Sequence, residues 1–244
     1  MKAAIQRLLG MAGYQLQRKY PRDFTADDVA LARRVEPFTR VSPIQVWGCV
    51  QAVEHVVQNQ IPGAVVECGV WKGGCAMAMA LTLVRLGDRS REIYLYDTFE
   101  GMTPPTGHDI DFLGRDAGSQ MTAAKDRVKG IEAFAPLEEA RTNILGTGYD
   151  PSLVHFVKGK VEDTLPDQSP TQISLLRLDT DWYESTRHEL EQLFPRVSRG
   201  GVLMIDDYGH WRGVRKATDE YFAKQTYRPL FCRVDYASRL AVKL

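Results

Sequence analysis

The 244-residue chain has no excess of either charge: Lys and Arg number 31, and Asp and Glu number 31. That balance excludes the dominant basic surface by which proteins hold nucleic acid without sequence preference. No apolar run reaches the length of a membrane span, about 18 residues or more, and no secretory cleavage pattern follows the start. The opening stretch, with Lys2, Arg7, Arg18 and Lys19, is basic and mildly amphipathic; it reads as a helix packed on a partner or frayed, with membrane-surface contact as the alternative. Cysteine is scarce. Cys49, Cys68, Cys75 and Cys232 form no C-x-x-C pair and no zinc spacing, which reads as reduced thiols of a cytoplasmic protein. Repeats and low-complexity segments are absent. What remains is an ordinary globular composition, 44% hydrophobic and 25% charged, long enough for one α/β domain or a core with a small extension.

Hydrophobic spacing supplies the organisation. Ser42 to Gln60 carries Val46, Val50, Val53, Val56 and Val57 near helical period, with Pro43 at the first helical position. Residues 1–60 read as an N-terminal helical extension, and 61–244 as the core. In the core, short apolar runs alternate with helical stretches: strands at Ala64 to Cys68, Glu92 to Tyr96, Leu153 to Lys158, Ile173 to Leu178 and Gly201 to Ile205, the last two apolar throughout as in parallel strands covered on both faces. Helices are expected at Cys75 to Leu86, from a capping box at Thr186 and Glu189, and around Trp211 to Phe222. Tyr227 to Val234 and Arg239 to Leu244 read as a terminal antiparallel hairpin. The pattern is α/β, a doubly wound, mostly parallel sheet. About residues 101–150 the periodicity weakens, and a long insertion after the second strand is a natural lid.

The turn after the first strand is Glu67-Cys68-Gly69-Val70-Trp71-Lys72-Gly73. It is E-x-G-x-x-x-G, not the G-x-G-x-x-G that brings backbone close to a pyrophosphate. A loop led by a carboxylate suits a cofactor without phosphate that carries an ammonium and a sulfonium, as S-adenosyl-L-methionine does. Asp97 ends the second strand, where a carboxylate can accept ribose hydroxyls. NAD is the losing alternative. Tyr221 and Lys224 lack the spacing of short-chain dehydrogenases.

Two further strands end in acids: Leu178-Asp179-Thr180-Asp181 and Ile205-Asp206-Asp207. If the strands are neighbours, these carboxylates meet in the crevice where α/β sheets bind ligands. Clustered acids repel one another unless a cation is present, and hard oxygen donors suit Mg²⁺ or another hard divalent ion. Asp179, Asp206 and Asp207 are the expected metal ligands; Asp181 reads equally as a helix cap, and Arg177, Arg187 and Arg212 are the competing ion-pair partners. A phosphatase-type reading of Asp179 and Asp181 fails because that motif follows a first strand. His210, just after the acid pair, is a candidate base; His188 falls inside a helix.

On these residues the chain resembles the macrocin O-methyltransferase family. The likeness covers about residues 36–235 and is carried by Phe38-Thr39-Arg40-Val41-Ser42-Pro43, the Glu67 loop, Tyr96-Asp97-Thr98-Phe99-Glu100-Gly101-Met102, Leu176 through Thr186, Gly200 through Gly209, and Asp219-Glu220-Tyr221-Phe222. It implies a class I methyltransferase (Rossmann-like) fold and Mg²⁺ at Asp179, Asp206 and Asp207. It further implies methylation of one hydroxyl of a vicinal diol, usually on a sugar such as those of antibiotics, and homodimers or larger homo-oligomers. Ser42, Glu67, Gly69, Gly73 and Asp97 are then the candidate cofactor residues, and Asp179 or His210 the candidate base. The partner would be a small glycoside or diol. A catechol-type small-molecule O-methyltransferase and a catalytically silent adenosylmethionine-binding protein stay open beside this reading.

Overall fold

A computed structural model of the chain describes residues 7, 9–14, 18–124 and 134–244. Of the basic N-terminal stretch, Lys2 lies outside the described residues, whereas Arg7, Arg18 and Lys19 lie within them. Among the described residues no helix is long and apolar enough to cross a membrane, and the four cysteines are free, all buried except Cys232.

Seven strands form one sheet: β1 Ala64–Cys68, β2 Ile93–Asp97, β3 Val154–Lys158, β4 Ile173–Leu178, β5 Val197–Ile205, β6 Cys232–Arg233 and β7 Arg239–Val242. Their order is β3-β2-β1-β4-β5-β7-β6. The first five are parallel, and β7 joins β5 antiparallel with β6 at its edge. The expected hairpin is therefore present but shorter, because the residues before Cys232 find no partner strand. The order reverses between β1 and β4, so the loops after these two strands diverge and open a crevice at their carboxyl ends.

Alternation along the strands sorts the side chains into two cores. Val65, Leu95, Leu175, Val202 and Met204 face helices α1 Ala26–Val35, α2 Pro43–Gln58 and α3 Gly74–Leu86. On the other face, Val66, Tyr96, Leu176, Leu203 and Ile205 pack with a second helical layer. The insertion carries more regular structure than its periodicity suggested: helices α4 Ala117–Ala124 and α5 Leu137–Leu145 lie within it, and Ile144 of α5 joins the first core. A four-residue helix, α6 Val161–Thr164, follows β3, and the second layer is built by α7 Tyr183–Leu193 and α8 Arg212–Ala223.

The start of α7 corrects the sequence-based expectation. Thr186 does not cap it; the helix begins at Tyr183, whose N–H donates to Oδ1 of the buried Asp109 at 2.8 Å. A carboxylate 74 residues upstream thus supplies the cap that the local sequence seemed to offer. Thr186 lies inside the helix. Glu189 then points into the protein instead of back along the helix.

The switch between β1 and β4 is tight. Gly69 has φ +84°, and a Cβ there would stand 2.0 Å from the carbonyl oxygen of Asp179. Gly69→Ala is expected to cost about 2 kcal/mol or more, through both the left-handed backbone and the displaced Asp179 loop. Denaturant unfolding measures this; an unchanged midpoint would contradict the close approach.

Candidate active site

The register of the central strands places a charge at the centre of the crevice. Glu67 of β1 pairs in register with Arg177 of β4, so both side chains emerge on the same face of the sheet, next to each other. Arg177 is 2% exposed. Its Nη1 donates to Glu67 Oε1 at 2.7 Å and to Asp179 Oδ2 at 2.8 Å, and its Nη2 donates to Asp206 Oδ2 at 2.5 Å. One guanidinium therefore ties the acid that leads the glycine loop to the acids at the ends of β4 and β5. A planar fork with several fixed donors can do this where a lysine cannot. Asp206 is completed from α2, where Gln45 Nε2 donates to its Oδ1 at 2.6 Å.

Above this node lies a cavity of about 450 Å³, within the range of small-ligand sites. Its wall includes Glu67, Gly69, Asp97, Asp179, Asp181 and Asp207. At one end is the loop after β1. Glu67 is 1% exposed, and its Oε2 has no hydrogen-bond partner. Burial pushes its carboxyl up to about 8, against the pull of Arg177. A buried acceptor without a donor is costly, and a cationic ligand group would satisfy it. Asp97 lines the same end, but its Oδ2 accepts the N–H groups of Val70 and Trp71 at 2.7 and 2.9 Å, and its Oδ1 that of Phe99 at 2.7 Å. It fixes the glycine loop first; the capacity remaining for a ribose hydroxyl is on Oδ1. Gly73 caps α3 with φ +90°, where a Cβ would strike Ile144 at 2.7 Å. Ser42 caps α2, accepting from Gln45 N, and donates to Asp235 Oδ2 at 2.9 Å.

At the other end the three expected acids come together. Asp179, Asp206 and Asp207 each offer a carboxylate oxygen, all within 4.8 Å of one another. Burial raises Asp179 and Asp207 well above the ordinary carboxylate range; Arg177 opposes the rise at Asp179, while Asp181, Asp206 and Asp179 reinforce it at Asp207. Hard oxygen donors, convergent and short of positive charge, fit a hard divalent cation. Asp181 joins this end and does not cap α7: burial raises its carboxyl too, and its Oδ1 accepts from Trp211 Nε1 at 3.1 Å. Trp71, Asp181 and Asp207 all have positive φ, +47°, +68° and +55°. Such strain in non-glycine residues gathers where side chains must be aimed.

His210 is less central than its sequence position suggests. It does not line the cavity; Tyr236 does, with its hydroxyl 3.1 Å from His210 Nδ1. Burial lowers the imidazole's pKa, partly offset by Asp111 and Asp206. His188 is structural, sitting within α7 with its Nε2 buried.

Several contributors escaped sequence reasoning because they act across the fold. Asp235, between β6 and β7, accepts the N–H groups of Ala237 and Ser238 and links this turn to Ser42. Glu189 of α7 lies wholly buried under the acid-bearing loop, its Oε1 accepting the Thr180 hydroxyl at 2.9 Å. Burial raises Glu189 well above the ordinary range. The only signal was the odd placement of an acid among apolar positions of α7.

The electrostatics generate two predictions. Arg177→Met leaves Glu67, Asp179 and Asp206 without their shared cation and is expected to cost about 3–5 kcal/mol at neutral pH; equal stability of variant and parent in urea would contradict it. Glu67 and Glu189 bind protons more tightly folded than unfolded, so their contribution is largest near the unfolded carboxylate range and is lost as pH rises towards the folded values, about 8 for Glu67. Metal-free protein should therefore be more stable to urea at pH 5.5 than at pH 8, with the difference reduced in Glu189→Gln. A flat profile, or one rising with pH, would contradict the buried protonated acids.

Comparison with known proteins agrees with this geometry. The model of the macrocin-O-methyltransferase (TylF) family matches residues 38–240. The 8-demethyl-8-(2,3-dimethoxy-α-L-rhamnosyl)-tetracenomycin-C 4′-O-methyltransferase of Streptomyces olivaceus is 39% identical over 156 residues, covering 64% of this chain and 57% of that protein. The demethyldecarbamoylnovobiocin O-methyltransferase of Streptomyces niveus is 37% identical over 174 residues, 71% of this chain and 63% of that protein. The chain thus spans about three fifths of the length of these relatives. Among solved structures, the O-methyltransferase NovP superposes with a TM-score of 0.72 at 32% identity, covering 84% of this chain and 82% of NovP. The sheet order, the acid-led loop and the matched span together place the chain in the macrocin O-methyltransferase family, with the class I methyltransferase fold.

Proposed function

We propose that the protein is an S-adenosylmethionine- and divalent-metal-dependent O-methyltransferase that modifies one hydroxyl of a vicinal diol, on a sugar of a glycosylated natural product. The observation that carries this reading is the pairing, within one cavity, of an unpartnered buried Glu67 oxygen with the Asp179–Asp206–Asp207 cluster. The relatives named above support the choice of acceptor: one is named for methylating a rhamnosyl tetracenomycin and another for a novobiocin precursor.

In this reading Glu67, beside the Gly69 turn, would accept from the amino group of the cofactor's methionine portion, and Asp97 Oδ1 would accept from a ribose hydroxyl. Asp179, Asp206 and Asp207 would hold the cation, which would lower the pKa of the acceptor hydroxyl and fix the diol. The methyl group passes from sulfur to oxygen as the C–S bond breaks and the C–O bond forms, and the hydroxyl proton must go to a base. Asp179 accepts from Arg177 and belongs to the ligand set, so its oxygens are already engaged. Asp181 lines the same cavity outside the three-acid ligand set and is the proton acceptor in this reading. His210 could be reached only through the Tyr236 hydroxyl. The described parts of the insertion, 101–124 and 134–150, would serve as the lid that excludes water, and a homodimer or larger assembly in the cytoplasm is the expected setting.

The test is mass spectrometry of a glycoside and catechol panel incubated with S-adenosylmethionine, with and without Mg²⁺. One added methyl on a sugar ring, abolished by chelation, is expected; methylation of catechols alone would overturn the acceptor class, and full activity after rigorous chelation would overturn the metal role. Asp181→Asn should keep cofactor and Mn²⁺ affinity in calorimetry while turnover falls about 100-fold or more. Asp207→Asn should instead lose metal affinity.

A further inference from the structure

Phe112 and Leu113 stand at the tip of the insertion, 52% and 63% exposed. Exposed apolar side chains on loops are ordinary. These are unusual in how firmly their backbone is held. Asp109 and Asp111, on either side of the preceding turn, are both wholly buried. Asp109 accepts from Thr106 N at 2.6 Å and from Tyr183 N at 2.8 Å. Asp111 accepts from the N–H groups of Leu113 and Arg115, each at 2.9 Å, and from Arg115 Nε at 2.7 Å. The tip is joined to the β5–α8 turn by a bridge between Asp111 and Trp211 and by the Arg212 N–H donating to Ile110 O at 2.8 Å. Two carboxylates are thus desolvated to present two apolar side chains to water.

They are presented beside the cavity mouth. The Phe112 ring lies 5.4 Å from that of His210 and 6.2 Å from that of Tyr236, centroid to centroid. Tyr236 is itself part of the cavity wall and half exposed. The Tyr236 turn is equally fixed, since a Cβ on Gly209 would stand 1.9 Å from the Tyr236 carbonyl oxygen. An aromatic surface therefore runs continuously from the cavity out over the tip.

We infer that Phe112, Leu113 and Tyr236 form the binding surface for an apolar, flat aglycone carried by the sugar that is methylated. This rests on the glycoside reading above: with the sugar diol at the carboxylate end, whatever the sugar is attached to must leave through the mouth. A nucleotide diphosphate attached there would meet Asp207 and Asp235 and the apolar rings. The Arg115 guanidinium is engaged by Asp111; Arg212, near Gly114, is the cation beside the tip that a diphosphate could use, while Arg40 and Lys160 belong to the cavity wall itself. The aromatic surface favours the aglycone.

The probes are 4-methylumbelliferyl α-L-rhamnoside, methyl α-L-rhamnoside and dTDP-L-rhamnose, titrated calorimetrically into full-length protein loaded with S-adenosylhomocysteine and Mg²⁺. The aryl glycoside is expected to bind about ten-fold or more tightly than the methyl glycoside. That ratio should collapse towards one in Phe112→Ser and Leu113→Ser, with adenosylhomocysteine affinity retained, and persist in Arg212→Ala. Equal binding of aryl and methyl glycosides, a ratio untouched by Phe112→Ser and Leu113→Ser, or preferential binding of dTDP-L-rhamnose that is lost in Arg212→Ala would each overturn the inference while leaving the glycoside reading standing. Binding of none of the three would overturn both.

Discussion

A guanidinium buried in the middle of a parallel sheet organises most of what surrounds it. Arg177 stands in a strand whose neighbours are leucines, and in isolation its charge would cost several kcal/mol to desolvate. The cost is offset because the register sets Glu67 beside it and the ends of β4 and β5 bring Asp179 and Asp206 within reach. The bridge joins two chemically different halves of one cavity: the acid-led glycine loop, and a group of carboxylates. Because three acids share one cation, the surplus is negative. Burial, which the one guanidinium offsets only in part, holds Glu67 towards its protonated form, and burial together with neighbouring acids raises Asp179 and Asp207 at the far end.

Around this node the protein repeatedly uses buried and half-buried carboxylates as structural anchors. Asp97 closes the loop after β1, Asp109 starts α7, Asp111 shapes the insertion tip, Asp235 shapes the β6–β7 turn, and Glu189 supports Thr180. Each accepts from backbone N–H groups or a hydroxyl that would otherwise lack a partner in an irregular segment. The loops that build the cavity are consequently irregular in backbone yet held in place. This lets residues such as Asp181 and Asp207 keep positive φ.

Much of this could be read from the sequence, where the signal was local. The parallel strands are apolar runs ending in acids or glycines, and their alternation with helices was sufficient to place β1 to β5 along the chain, though not their order in the sheet. The carboxylates of the cluster were visible for the same reason: strand ends gather at one edge of an α/β sheet. At the start of α7 the misreading arose where a distant group replaced a local one. Thr186 and Glu189 have capping-box spacing, but Asp109 caps the helix from the insertion and frees Glu189 to face inward. Asp97 ends the second strand as expected, and its carboxylate also accepts the N–H groups of Val70, Trp71 and Phe99, a role its strand-end position did not reveal. His210 follows the acid pair in sequence, yet Tyr236 from the terminal hairpin comes between it and the cavity. Gln45 and Asp235 gave no signal, because their partners lie 161 and 193 residues away in the chain.

The central claim is that Asp179 and Asp206, tied together by Arg177, form a cation site with Asp207 at one end of the cofactor cavity. Anomalous diffraction from crystals grown with Mn²⁺ and S-adenosylhomocysteine tests it most directly. The account predicts one strong anomalous peak among the carboxylates of Asp179, Asp206 and Asp207, with the amino group of the bound adenosylhomocysteine directed at Glu67. A peak elsewhere, or none with the cofactor product bound, would contradict it.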